Sequence, residues 1–109
     1  MRNHSNDREL IELAATACGY KITLWDEDDY GTPIPMRGYA EPWNPLAYDG
    51  DALRLAVKLR LCVHHTDHEV HVSFHDRKHT ESIAHRDDPG AATRRAIVRA
   101  AAALVRGEK

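Results

Sequence analysis

Val70-His71-Val72-Ser73-Phe74-His75 alternates apolar and polar side chains without a break. A period of two marks a strand with one buried and one solvated face. Working outward, Thr66-Asp67-His68 upstream and Asp76-Arg77-Lys78-His79 downstream have the polar composition of turns. They separate the central run from two more, which predicts a three-stranded antiparallel meander at about 60–65, 69–75 and 80–85.

Helical patterns flank the meander. Downstream, Asp88 is placed to cap a helix, Pro89 suits its first position and Gly107 its stop. Thr93, Ala96, Ile97, Ala100, Ala101 and Leu104 then fall on one side, and Arg95, Arg99 and Arg106 on the other, which is expected to face solvent. Upstream, Asp49-Gly50-Asp51 opens a second helix, with Asp49 as its cap and an end near Leu59. A first helix carries Leu10, Leu13, Ala14 and Ala17 on one face. Asn6 and Glu9 have the spacing of a capping box, and Gly19 suits the C-terminal turn.

Between the first two helices, Tyr20–Trp25 reads as a strand. Residues 26–45 hold Pro33, Pro35, Pro42 and Pro45, which cannot donate to a ladder. That stretch is predicted to be mostly a long loop, with a short strand near Met36–Tyr39, and a loop of roughly twenty residues is a candidate functional element. The expectation is an α+β fold over a single domain, 1–109, in the order α-β-loop-α-β-β-β-α. Helices would pack on one face of a meander of three to four strands, burying Val63, Val72, Phe74, Ile83, Ile97 and Leu104.

Charge is unevenly spread. Residues 1–51 hold ten acids and four bases, residues 52–109 seven acids and eleven bases. Such a chain can pair its own halves, pair with a copy as a homodimer, or offer its basic half to an anion. No run is long and apolar enough to span a membrane, and the first residues lack the apolar segment of a signal peptide. The expected location is the cytoplasm. Two cysteines, Cys18 and Cys62, make no disulfide framework or zinc cluster.

Three blocks are distinctive as words: Trp43-Asn44-Pro45-Leu46; Asp49-Gly50-Asp51-Ala52-Leu53-Arg54-Leu55-Ala56-Val57-Lys58-Leu59; and Asp88-Pro89 with Ala92-Thr93-Arg94-Arg95-Ala96-Ile97-Val98-Arg99-Ala100-Ala101. Together they resemble a family of short phage and prophage proteins, and more distantly the NinX-type phage proteins. The resemblance implies an accessory protein made by a phage inside a bacterial host, with no activity or catalytic residues to carry over. The chain departs from the family pattern in its histidines.

Seven of the eight histidines lie between positions 64 and 85. Imidazole is a common metal ligand, but His71 and His75, four apart in a strand, would stand about 13 Å from each other. A two-residue turn at Asp67-His68 would set His64 opposite His71 with no evident third ligand. No metal and no cofactor is therefore expected. Nor does the sequence show a phosphate loop, a nucleophile elbow or a Ser-His-Asp arrangement, so the expected function is not enzymatic.

Two function classes remain. In the first, Asp26, Glu27, Asp28 and Asp29, with Tyr30, Tyr39 and Trp43, form a surface that binds a host or phage protein. Acids would steer the encounter and aromatics would anchor it. An inhibitor of host machinery, or of a defence system such as CRISPR, is the form such a function would take. In the second, Arg94, Arg95, Arg99 and Arg106 hold nucleic-acid phosphates. The first is favoured, because net charge is −2 and the aromatics are not interleaved with the arginines.

Overall fold

The computed structural model describes residues 4–31, 33–39 and 41–107. In chain order the elements are α1 (His4–Ala17), β1 (Ile22–Glu27), β2 (Pro33–Arg37), β3 (Glu41–Pro42), α2 (Asp49–Leu59), β4 (Cys62–His65), β5 (Glu69–Ser73), β6 (Thr80–Ala84) and α3 (Pro89–Arg106). The fold is α+β, and helices pack against antiparallel sheet as the alternating run requires. β4, β5 and β6 form the expected meander, with Val63 opposite Val72 and His64 opposite His71. α3 lies across β5 and β6 and also packs on α1 and α2.

Residues 26–45 depart from the expectation. Nine of these twenty positions, 26–27, 33–37 and 41–42, lie in strands rather than in one long loop. β1, β2 and β3 make a second three-stranded antiparallel sheet. Its middle strand carries two prolines, and their spacing explains how. Pro33 and Pro35 are two residues apart, so their missing N–H groups point to the same side of β2. On that side the Pro35 carbonyl accepts the Trp43 N–H at 3.0 Å. The donors of Ile34 and Met36 fall on the β1 side, and the β1–β2 ladder survives.

Helix boundaries also move. α1 begins at His4, so Asn6 lies inside it rather than capping it. α2 is capped by Tyr48, in an extended conformation without a side-chain bond, and Asp49 is its first helical residue. α3 matches its sequence signals: the Asp88 carboxylate accepts the Ala91 N–H at 2.9 Å, Pro89 follows, and Gly107 takes the left-handed conformation at φ 75°.

The core is built largely from alanine. Ala14 and Ala15 of α1, Ala52 and Ala56 of α2, and Ala96, Ala100, Ala101 and Ala103 of α3 are all buried together with Val70, Val72, Phe74, Ile97 and Val98. Small side chains let α3 approach α1, α2 and the sheet closely, so it is buried around most of its circumference. Val63 and Leu104 are exposed, contrary to expectation. Val63 sits on the edge strand β4, outside the cover of α3, and Leu104 lies in the last turn of α3.

Because Ala100 is fully buried, there is no room for a larger side chain. Ala100→Leu is expected to cost about 1–3 kcal/mol by overpacking, read as a lower urea midpoint, whereas Arg99→Ala on the exposed side should stay within about 0.5 kcal/mol.

Candidate protein-binding surface

The acidic run forms the end of the β1–β2 hairpin. Asp26 and Glu27 close β1, and Asp28 and Asp29 lead into the turn. The turn is ordered by its own side chains. Asp28 Oδ1 accepts the Tyr30 N–H at 2.8 Å, the Asp28 carbonyl accepts the Gly31 N–H at 3.1 Å, and Gly31 supplies the positive φ of 77°. All four acids are exposed, and Tyr30 beside them is 92% exposed. Four carboxylates and one aromatic ring thus stand exposed at this end of the hairpin, where Asp28 bonds the backbone of the turn.

The other two aromatic residues of the expected surface are elsewhere. Tyr39 is exposed but lies in the β2–β3 turn, at the opposite end of the five-residue strand β2, about 15 Å or more from the acidic tip. Trp43 is 3% exposed and belongs to the core. Its ring meets Tyr20 edge-on with centroids 5.5 Å apart, and the Tyr20 face carries the Arg37 guanidinium at 4.2 Å. Trp43 is a staple for the second sheet, not an interface anchor.

The arginine stripe is not a free basic surface. Arg94 donates through Nε to the Leu46 carbonyl at 2.9 Å and through a terminal nitrogen to Asp49 Oδ1 at 2.7 Å. Arg95 holds both oxygens of Asp7, at 3.2 and 3.4 Å. Arg106 reaches Glu9 at 3.6 Å. Of the four, only Arg99 lacks an ion-pair partner among the described residues. Three acids of the first half of the chain, Asp7, Glu9 and Asp49, thus meet three arginines of α3, because α1 and α2 pack on that helix.

The histidines divide between the two faces of the meander. On the outer face, His71 Nδ1 lies 2.7 Å from Ser82 Oγ, and His71 Nε2 lies 3.5 Å from a Glu69 oxygen. Sequence spacing did not reveal this Ser-His-Glu line, because it forms only through the β5–β6 register, in which His71 opposes Ser82. It lies on an open sheet. The grooves between α2 and β4, beside Asp88 and Arg95, and beside Trp25 are lined by none of the three residues. His64 stands across from His71 with ring centroids 6.2 Å apart. At the meander's end, His65 Nδ1 and His85 Nε2 are 3.1 Å apart, a bond that needs one neutral acceptor and is lost when both rings are protonated. No group of three potential ligands able to hold a metal ion occurs among the described residues.

Burial pushes the Cys18 thiol above its ordinary pKa, opposed by the nearby Lys58 charge. Its Sγ donates to the Ala15 carbonyl at 3.5 Å. It is a structural thiol rather than a nucleophile. No helix among the described residues is long and apolar enough to cross a membrane. No protein-family model, curated protein or solved structure matches the chain.

Arg94 holds the 43–46 segment and α2 to α3, while Arg99 holds nothing of the kind. Arg94→Ala is expected to lower stability by about 1–2 kcal/mol, chiefly through the part-buried Leu46 carbonyl left without its donor, since Asp49 is already mostly solvated. Arg99→Ala should leave stability unchanged within error, and chemical denaturation of the two variants side by side checks the ranking.

Proposed function

We propose that this chain is a phage-type accessory protein that acts by binding another protein without catalysis, in the cytoplasm of the bacterial host. The acidic hairpin tip is the contact surface. The observation that carries this reading is the ordered turn at Asp28–Gly31, which presents Asp26, Glu27, Asp28, Asp29 and Tyr30 to solvent. An interface needs such a combination: charges that steer an encounter, and a rigid aromatic group to bury. A partner with a basic groove and an apolar slot for Tyr30 fits it. A nucleic-acid-binding surface of host machinery, or of a defence complex such as CRISPR, has that character, and an inhibitor would occupy it in place of phosphate.

Loss of the free arginine stripe supports the same choice. Nonspecific binding to nucleic acid depends on neutralising many phosphates, and Arg94, Arg95 and Arg106 are already committed to Asp49, Asp7 and Glu9. The Ser82-His71-Glu69 line sits outside the three grooves described above, and the reading kept is the non-catalytic one.

The test is capture of a partner from host lysate, with and without nuclease, by the unmodified protein and two variants. Reversing Asp26, Glu27, Asp28 and Asp29 to Lys is expected to weaken capture by about tenfold or more with an unchanged far-UV spectrum. Arg99→Ala should have no effect. Nuclease-sensitive capture, or salt-dependent DNA or RNA binding that Arg99→Ala weakens, would replace this reading with the nucleic-acid one.

A further inference from the structure

α2 turns Ala52, Leu55 and Ala56 into the core and leaves Leu53 64% and Val57 68% exposed. Asp49, Leu53, Val57 and Arg60 are spaced by four, four and three residues, which places them in one line along the helix and its C-cap. The line reads acid, apolar, apolar, base. Asp49 keeps most of its side chain in solvent even while bound to Arg94, and Arg60 has no ion-pair partner among the described residues.

Strand β4 runs beside this line and forms one edge of its sheet. Thr66 donates to the Glu69 carbonyl at 2.9 Å, so 66 and 69 are a hydrogen-bonded pair. Such pairs alternate in an antiparallel ladder, making 64–71 and 62–73 the next ones. The N–H and C=O groups of Val63 and His65 therefore point away from β5, toward solvent. The edge is short, at four residues, but Cys62–His65 contains no lysine, no proline and no bulge to keep another strand away. Leu53 on the helix and Val63 on the strand are opposite walls of one groove of about 410 Å³. Asp49 and Leu53 of the helix line and Val63 and His65 of the strand thus border the same groove.

We infer that a second copy of this chain occupies that side, forming a two-fold dimer through β4 and α2. The line on α2 is complementary to itself when reversed. In an antiparallel arrangement Leu53 meets the partner's Val57, and Asp49 meets the partner's Arg60. The charge contact occurs twice by symmetry, and the opposed helix dipoles add to it. The open edge has the same property: two antiparallel β4 strands exchange bonds between Val63 and the partner's His65, giving a six-stranded sheet. A contact that is its own complement closes at two copies, whereas an unrelated partner would have to match both the charge order and the strand edge independently. The hairpin tip takes no part in this contact, so dimerisation stands or falls separately from the reading above.

Sedimentation of the purified full chain, from submicromolar to tens of micromolar, tests it. The unmodified protein is expected to pass from monomer to dimer over that range. Arg60→Asp and Asp49→Lys each place like charges together at both contacts and should raise the dimer Kd by about tenfold or more. Mixed one to one, the two variants again oppose unlike charges at both contacts, and the dimer should return. Leu53→Lys, at an exposed position, should give a folded monomer by far-UV circular dichroism. If Asp49→Lys unfolds the chain through loss of its Arg94 contact, Arg60→Asp and Leu53→Lys decide the matter. A monomer throughout the range overturns the inference, and so does a dimer that Leu53→Lys and Arg60→Asp leave unmoved.

Discussion

The Arg94 guanidinium ties α3 to the 46–49 stretch, two parts of the chain more than forty residues apart. One nitrogen satisfies the Leu46 carbonyl, and another holds Asp49 at the start of α2. Beside it, Asp51 accepts the Asn44 N–H at 2.9 Å and the Arg54 guanidinium at 2.8 Å. The irregular 43–48 segment is thereby supplied with partners for backbone groups that no helix or strand could satisfy, as burial of polar groups demands. Trp43 can then enter the core with its backbone N–H on Pro35. The second sheet hangs from this segment, and α2 is oriented by it. The distinctive sequence blocks at 43–46, 49–59 and 88–101 meet at this knot, so their unusual wording has a structural cause.

The alanine-rich α3 sets the second constraint. A helix buried nearly all round must have small side chains wherever a neighbour comes close, and α3 has α1, α2, β5 and β6 as neighbours. Close approach yields dense packing, but each alanine buries little area. Large apolar residues are few, and several of them, Leu24, Leu53, Val57 and Val63, remain at the surface. What the core does not use is left along α2 and β4, and that is the physical origin of the groove there.

Packing α1 and α2 onto α3 also resolves the uneven charge of the chain. Asp7, Glu9 and Asp49 come from the acidic half, and Arg95, Arg106 and Arg94 from the basic half. Exposed ion pairs contribute little stability, and the Arg106–Glu9 contact belongs to that class. Arg94 and Arg95, mostly shielded from solvent, instead fix the orientation of the helices. Once these pairs form, Arg94, Arg95 and Arg106 each carry an acidic partner, while the acids of the hairpin tip remain in solvent.

Local sequence determined the helices and the meander. Period-two alternation at Val70–Phe74, the Asp88-Pro89 start and the Gly107 stop act within a few residues, and the short turn at Asp67-His68 alone fixed His64 opposite His71. Proline content misled at 26–45, because a proline in isolation argues against a strand, whereas Pro33 and Pro35 in alternation place both missing donors on the side away from β1. The helical wheel put Arg99 and Arg106 in solvent, where they are, but it also put Arg95 there, which is largely covered on Asp7. It shows which side of α3 they occupy but not that Asp7, Glu9 and Asp49 come to meet them. Tertiary structure alone decided which acids stay exposed, that Tyr39 is far from Tyr30, and that His71, Ser82 and Glu69 line up. Each of these depends on contacts between residues tens of positions apart, or on a strand register that one residue of slippage would reverse, and no local pattern encodes them.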